Sequence, residues 1–340
     1  MEKFVSFLGT QKFKRLAICI CIYALLLAAL VLIQVIVLPR EGVLALAIII
    51  APYLFLPFLL LAPLACWRRT TLLRIGLLGA LLLFGLAYSP RVGFSSQLPQ
   101  QGTITAMTWN FHGYHVRSGT LRQALNQHKP DIVALQDSDW QGIGEADDVL
   151  AHYPYHLYRP GNTMPPGEAL LSVYPFLDYG TIAPDKTRAI WDIPRVLWAH
   201  LNLGHGRTLL VIDAHPVSSI NTVAGCFFCP QRRNAQIQAL HHFIQPLLQR
   251  GEHILLLGDM NTTDREPAYK ELSAGLQDTH LLVGRGSGHS WGVRQLNPLW
   301  AILRIDYMLA SPNVKPLSLQ TDCTARGSEH CLLVGRFAVP

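Results

Sequence analysis

Two long stretches near the start of the chain, residues 16–39 and 42–67, contain no Asp, Glu, Lys or Arg. Each exceeds the roughly 20 apolar residues that cross about 30 Å of hydrocarbon. A third uncharged run, Ile75–Pro90, reaches spanning length once Leu72, Leu73 and a snorkelling Arg74 are added. The pattern predicts three transmembrane helices, 16–39, 42–67 and 72–90. The first is too long, and too soon followed by the second, for a cleaved signal peptide. Pro52, Pro57 and Pro63 remove backbone donors from the second span and predict kinks there.

Beyond a polar, Pro- and Gly-containing linker at 91–102, the pattern changes to short apolar runs separated by turns. Ile104–Trp109, Ile132–Leu135, Ala169–Ser172, Val196–Leu203, Thr208–Ile212, Ile254–Leu257, Ile305–Ala310 and Leu332–Ala338 read as strands. Thr120–His128, Gln231–Gln249 and Pro267–Leu272 read as helices. Many strands with a few interposed helices predict an α/β domain over 103–340. Its expected form is a four-layer sandwich, two packed β-sheets flanked by helices.

Charge sharpens the division. Of 28 Lys and Arg and 22 Asp and Glu, eight and two fall in residues 1–90, which leaves 20 of each in the remainder. The net charge of +6 therefore belongs to the membrane part, and a domain-wide electrostatic grip on nucleic acid is absent. Lys3, Lys12, Lys14 and Arg15 precede the first span, and Arg68, Arg69 and Arg74 lie between the second and third. Cytoplasmic loops retain cations, so three spans put the N-terminus inside and residues 91–340 outside a cytoplasmic (inner) membrane. If the third run were only interfacial, the domain would lie in the cytoplasm. Cys226, Cys229, Cys323 and Cys331 admit three readings: disulfides of an oxidising compartment, free thiols, or a four-ligand zinc site.

Several apolar runs adjoin chemically capable residues: Trp109-Asn110, Gln136-Asp137, Asp213-Ala214-His215, Gly258-Asp259-Met260-Asn261, Arg304-Ile305-Asp306-Tyr307 and Ser328-Glu329-His330. Phosphoester cleavage needs a hard divalent cation on oxygen ligands, a group that activates water, and donors for the transition state. Each motif alone reads equally as a cap, a turn or a structural His. Together they supply all three requirements.

In the order of these motifs the chain resembles the endonuclease/exonuclease/phosphatase superfamily, with its deoxyribonuclease I-like fold. The likeness extends to Gly167-Glu168-Ala169-Leu170-Leu171-Ser172-Val173-Tyr174-Pro175 and His289-Ser290-Trp291, and covers about residues 103–340. It implies Mg²⁺ or Mn²⁺, with Asn110 orienting phosphate or metal and Asp137 as the principal metal carboxylate. It implies Asp259 orienting or deprotonating the attacking water, Asn261 helping to hold phosphate or metal, Asp306 fixing His330 against the phosphate, and His215 as a second phosphate-side His. Two positions depart from the family pattern. Gln136-Asp137 stands where the family has Gln-Glu, and Ser328-Glu329-His330 where it has Ser-Asp-His. One carboxylate is a methylene shorter and the other a methylene longer, so the pair either compensates around one cation, with Glu329 as a metal ligand, or marks a weakened site. Asp139 is an alternative ligand to Asp137.

Three functions follow as expectations. The first is a membrane-anchored, metal-dependent phosphodiesterase or phosphatase acting on a lipid headgroup or envelope phosphoester. The second is a nuclease on DNA or RNA, and the third a catalytically idle binding module. The bilayer and the phosphoester are the partners implied; no protein partner is indicated. Arg232 and Arg233 read either as substrate phosphate ligands or as solvated charge at a helix start. The rings of Phe227 and Phe228 are expected to pack under the following helix, with a lipid- or substrate-facing loop as the rival.

Overall fold

The computed structural model describes the chain except residues 1, 68–70, 90–101, 112–117, 139–142, 144–146, 160–166, 183–194, 221–226, 293–300 and 326. Cys226, Asp139 and most of the linker expected at 91–102 therefore lie outside the described residues. The chain divides into two compact units, Met1–Pro90 with Arg265–Pro267, and Arg91–Asp264 with Ala268–Pro340.

The first unit contains helices α1 (Glu2–Ile36), α2 (Gly42–Ile50), α3 (Leu56–Trp67) and α4 (Thr71–Tyr88). Lys14–Ile36, Gly42–Leu61 and Thr71–Tyr88 are each long and apolar enough to cross a membrane. The second apolar run is not one α-helix: a 3₁₀ segment, Ala51–Phe55, with Pro52 in its first turn, separates α2 from α3. Pro52 lacks the N–H that an unbroken helix would use, and the tighter turn accommodates that loss. Pro63 sits inside α3.

The second unit is built on two sheets. The first runs β13 (Lys315–Asp322), β14 (Leu332–Ala338), β1 (Thr103–Asn110), β2 (Ile132–Ser138), β4 (Gly167–Ser172), β3 (Tyr155–Arg159). The second runs β5 (Phe176–Gly180), β6 (Arg195–Gly204), β7 (Arg207–His215), β8 (Ile254–Asp259), β12 (Asp306–Ala310), β9 (Gln277–Asp278). A short hairpin pairs β10 (Trp291–Gly292) with β11 (Ala301–Leu303).

Three apolar layers explain the continuous hydrophobic runs. Ala106, Ile132 and Leu170 of one sheet share a core with Val211, Leu255 and Leu257 of the other. Their chain neighbours point outward. Met107, Val133 and Leu171 pack with Leu121 and Leu125 of helix α5 (Ser118–His128). Leu210, Ile254 and Leu256 pack with Ile237, Leu240 and Ile244 of a later helix, Gln231–Gln249. A strand covered on both faces has no polar alternation to show. The four-layer sandwich expected from the sequence is thus the observed fold.

Strand direction decides where the chemistry collects. β1 and β2 run parallel, as do β7 and β8, so their C-terminal residues Asn110, Asp137, His215 and Asp259 terminate together. β4, β6 and β12 run antiparallel to these neighbours and therefore begin at that same end, with Glu168, Arg195 and Asp306.

Candidate active site

Asp259 is the hub. It closes β8 directly opposite Asp306 on β12, and Gly258 before it has φ +135°, where a Cβ would meet the Ala214 carbonyl at 2.1 Å. Only glycine allows β8 to press so closely on β7. Four side-chain nitrogens surround Oδ2 of Asp259: Nδ2 of Asn110 at 2.9 Å, Nδ2 of Asn261 at 3.3 Å, and Nε2 of His215 and His330 at 3.4 and 3.8 Å. The Asn261 backbone N–H donates to Oδ1. Burial raises the Asp259 pKa, but His330, His215 and the Asn261 N–H outweigh it and bring it to about 2.

Each donor is held from behind. His330 Nδ1 lies 3.0 Å from Asp306 Oδ2, and the Ser290 hydroxyl accepts from the Asp306 backbone N–H. The His289-Ser290-Trp291 motif is thus a brace for Asp306. Burial together with the Asp259 charge lifts the Asp306 pKa; against burial, Asp306 and Asp259 lift that of His330. Asn261 adopts φ +48°, and its amide donates to the Pro216 carbonyl. Its own carbonyl accepts from Nη1 of Arg233 at 2.7 Å.

That last bond corrects one expectation. Arg233 is 1% exposed, and its other guanidinium nitrogens donate to Asn234, so it positions Asn261 and does not present a charge to substrate. Arg232 beside it is exposed. Phe227 is 63% exposed and does not pack under the helix, whereas Phe228 is half-buried.

Asp137, expected at the metal, is engaged by cationic side chains of the same site. It lies at a bulge, since Leu135 pairs with Ala169 but Ser138 with Gly167, and it takes φ +46°. Its carboxylate forms an ion pair with Arg195 Nη1 at 2.9 Å and lies 3.5 Å from Nδ1 of His215. Burial opposes ionisation, yet His215 and Arg195 hold its pKa below the usual carboxylate range. The Glu329 carbonyl accepts from Gly292, and its carboxylate is outside the cluster described next.

Arg195, not singled out from the sequence, and Glu168, legible there only within the Gly167–Pro175 likeness, complete the cluster around His215. Arg195 Nε lies 3.2 Å from Glu168, Nη1 holds Asp137, and Nη2 abuts Nδ1 of His215. Glu168 is fully buried, 3.8 Å from His215, and neither carboxylate oxygen has a hydrogen bond in the described structure. Burial and Arg195 both disfavour protonation of His215, but Asp137, Asp259 and Glu168 outweigh them and push it up to about 10. Arg304, by contrast, is structural: it pairs with Asp278 and stacks over Tyr307.

Among the described residues, ligand atoms of Asp259, Asp306 and His330 come within 4.8 Å of one another. Two carboxylates with a carboxamide alongside form a hard-donor set suited to a divalent ion. Of the four cysteines, three are among the described residues: Cys323 is bonded to Cys331, and Cys229 is disulfide-bonded as well. The zinc and free-thiol readings fail for these three residues, because a sulfur in a disulfide offers no thiolate.

The profile of the Endonuclease/Exonuclease/phosphatase family matches residues 107–330. Solved structures with the same fold include an endonuclease/exonuclease/phosphatase from Bacteroides vulgatus, 17% identical, TM-score 0.57, covering 71% of this chain and 100% of that one. The human Nocturnin catalytic domain with bound sulfate is 17% identical at TM-score 0.57, over 72% of this chain and 97% of its own. A mannosyl-6-phosphatase of Bacteroides thetaiotaomicron VPI-5482 is 15% identical at TM-score 0.58, over 69% and 99%. No curated protein sequence matches the chain.

Proposed function

The chain belongs to the endonuclease/exonuclease/phosphatase family and is a phosphoester hydrolase, and from that premise we propose a membrane-anchored, divalent-metal-dependent enzyme acting on a lipid or envelope phosphoester. The observation that carries this reading is the convergence of two imidazoles and two carboxamides on the Asp259 carboxylate. The two imidazoles supply donors that a tetrahedral phosphoryl group requires, and Asp259, held by the two carboxamides, is an anion beside them able to align a water.

Asp259 and Asp306 would hold the cation, with Asp137, the carboxylate that family resemblance assigns to metal, as a further oxygen donor. When bound, Mg²⁺ or Mn²⁺ neutralises phosphate oxygens and polarises phosphorus. The chain's own groups do the remaining work. Asp259, kept anionic, accepts a hydrogen bond from the attacking water and orients it. His215, whose Nδ1 faces the Arg195 guanidinium, donates from Nε2 to a non-bridging oxygen as charge builds there. His330, oriented by Asp306, donates on the leaving-group side. Asn110 and Asn261 fix the Asp259 carboxylate between them.

Location is argued from the three spans, the cationic N-terminal side and the disulfides, which form and persist in oxidising compartments. They support a multi-pass protein of the cytoplasmic membrane with its catalytic unit outside. The formal neutrality of residues 91–340 favours a lipid or envelope phosphoester over a nucleic acid backbone.

The test is hydrolysis by the full-length protein in detergent of phospholipids, single- and double-stranded nucleic acids and an aryl phosphodiester. Mg²⁺ or Mn²⁺ is added or chelated, with Asp259→Ala as blank. Metal-dependent release from lipid, absent in the blank, supports the proposal. Preferential cleavage of nucleic acid replaces it with the nuclease reading, and no turnover by folded protein replaces it with the idle module.

A further inference from the structure

The loop that carries His330 is closed at its neck by a covalent bond. β13 and β14 form an antiparallel pair whose last rung is Asp322 opposite Leu332. One step beyond that rung stand Cys323 and Cys331, joined as a disulfide with their Cα atoms 4.3 Å apart. The segment between them, 324–330, contains Ser328, Glu329 and His330. His330 is the immediate chain neighbour of one bridge sulfur's residue.

Cys331 is also tied to the partner of His330. It is 1% exposed, and its backbone N–H donates to the Ser290 carbonyl at 2.7 Å. The hydroxyl of that same Ser290 accepts from the backbone N–H groups of Ile305 and Asp306. A path of two hydrogen bonds through Ser290 therefore runs from the bridge to Asp306, whose carboxylate lies 3.0 Å from the His330 ring. On the other arm, the Asp322 carboxylate accepts from the backbone and hydroxyl of Thr324. Trp109 Nε1 donates to the His330 carbonyl, and the Ser328 hydroxyl to the Asn110 carbonyl, so the loop rests on β1 at the residue that reaches Asp259.

We propose that the Cys323–Cys331 disulfide is a positioning element of the active site, which extends the β13–β14 ladder by one covalent rung and sets His330 against Asp306 and Asp259. The inference rests on the functional reading above, in which His330 acts at the phosphate. A loop held only by hydrogen bonds samples a wider range of backbone angles than one closed at the neck. The imidazole, one residue from the closure, inherits that range directly. Bond formation removes one proton and one electron from each thiol. The acceptor is a disulfide-carrying oxidant, a dithiol–disulfide exchange protein of the outer compartment, which is left with two thiols. The site is thereby completed only after the unit reaches an oxidising compartment.

The experiment compares full-length wild type, Cys323→Ala/Cys331→Ala and His330→Ala in detergent, with bis(p-nitrophenyl) phosphate and Mn²⁺. Circular dichroism establishes folding at the assay temperature. In metal-free protein, proton NMR records the downfield imidazole signal that His330→Ala removes. The expected result is a folded double variant whose kcat falls by about 100-fold while KM moves by less than about threefold, as for a displaced catalytic group. Its downfield signal is expected to broaden or vanish. A folded double variant with wild-type kcat and an unchanged signal overturns the proposal.

Should the double variant not fold, the Cys226→Ala/Cys229→Ala protein, which keeps only the bridge in question, is assayed before reduction, after it and after reoxidation. Reversible loss of kcat and signal supports the proposal; insensitivity overturns it. Failure of the functional reading is distinguishable, because it appears as a wild type that is inactive on the substrate panel. The imidazole signal still reports on the bridge in that event.

Discussion

Arg195 and Asp137 form an ion pair at 2.9 Å across the two sheets, and the same guanidinium lies 3.2 Å from the buried Glu168. The carboxylate that family resemblance assigns to the metal is therefore already matched by a cation of the protein. Removing one partner of such a pair leaves the others uncompensated, at a cost of about 3 kcal/mol or more where the site is largely dry. Arg195→Met is expected to lower thermal stability by that order and to abolish hydrolysis. Arg195→Lys, which supplies charge without the fork, should recover stability but not full activity. Thermal denaturation and steady-state kinetics of the two variants check this.

Gly258 has no room for a side chain, because a Cβ would approach the Ala214 carbonyl oxygen to 2.1 Å at φ +135°. Gly258→Ala is expected to force β7 and β8 apart just where His215 and Asp259 end them. The expected outcome is a loss of several kcal/mol of stability and of activity. Urea denaturation monitored by tryptophan fluorescence measures the first, and a wild-type midpoint would refute the close-approach argument.

The two adjacent arginines should separate cleanly. Arg233→Met removes the guanidinium that holds the Asn261 carbonyl, and it is expected to cost about 3 kcal/mol and to lower kcat. Arg232 is exposed, so Arg232→Ala should change stability by less than about 0.5 kcal/mol. Any rise in KM for Arg232→Ala would then report direct contact with substrate. Denaturation midpoints and KM values for both variants decide it.

The metal-free site predicts a particular pH dependence. His215 has a folded pKa of about 10, above its ordinary 6.5, so the stability it contributes is complete below about pH 6.5 and declines as pH rises toward 10. Asp259 has a folded pKa of about 2, below its ordinary 3.8, so its contribution is present above about pH 4 and is lost as pH falls toward 2. In chelator, the melting temperature is expected to be highest between about pH 4 and 6.5. His215→Gln should flatten the alkaline limb, and an unchanged limb would contradict the assignment.

What the sequence shows of the fold depends on where each strand sits. All eight strands recognised from apolar runs lie in the interior of their sheets, from Ile104–Trp109 to Leu332–Ala338. Those overlooked include the four at the sheet edges: Tyr155–Arg159, Phe176–Gly180, Gln277–Asp278 and Lys315–Asp322. The interior strands are mostly covered on both faces and so mostly apolar, with exceptions such as Asn202 and Arg336, whereas an edge strand keeps more polar positions such as Asp178 and Lys315, and even Pro316.

The site shows a related bias. Asn110, Asp137, His215 and Asp259 were legible because each follows an apolar run. Glu168 and Arg195 begin their strands; Glu168 was legible only within the Gly167–Pro175 likeness, and Arg195 was not singled out. They reach the same end only because β4 and β6 run antiparallel to β2 and β7.

Apolar run length and the placement of charge were sufficient to determine three helices long and apolar enough to cross a membrane and the α/β layering, since both follow from local burial that each residue carries in its own side chain. The order of the polar motifs likewise named most of the residues that converge on Asp259. Only the tertiary structure decided the pairing of those residues. It put Arg195 on Asp137, Arg233 behind Asn261 and a disulfide beside His330, because strand direction, sheet stacking and loop closure bring together groups separated by tens of residues. A charge's partner is set by that three-dimensional proximity, and the one-dimensional pattern contains no measure of it.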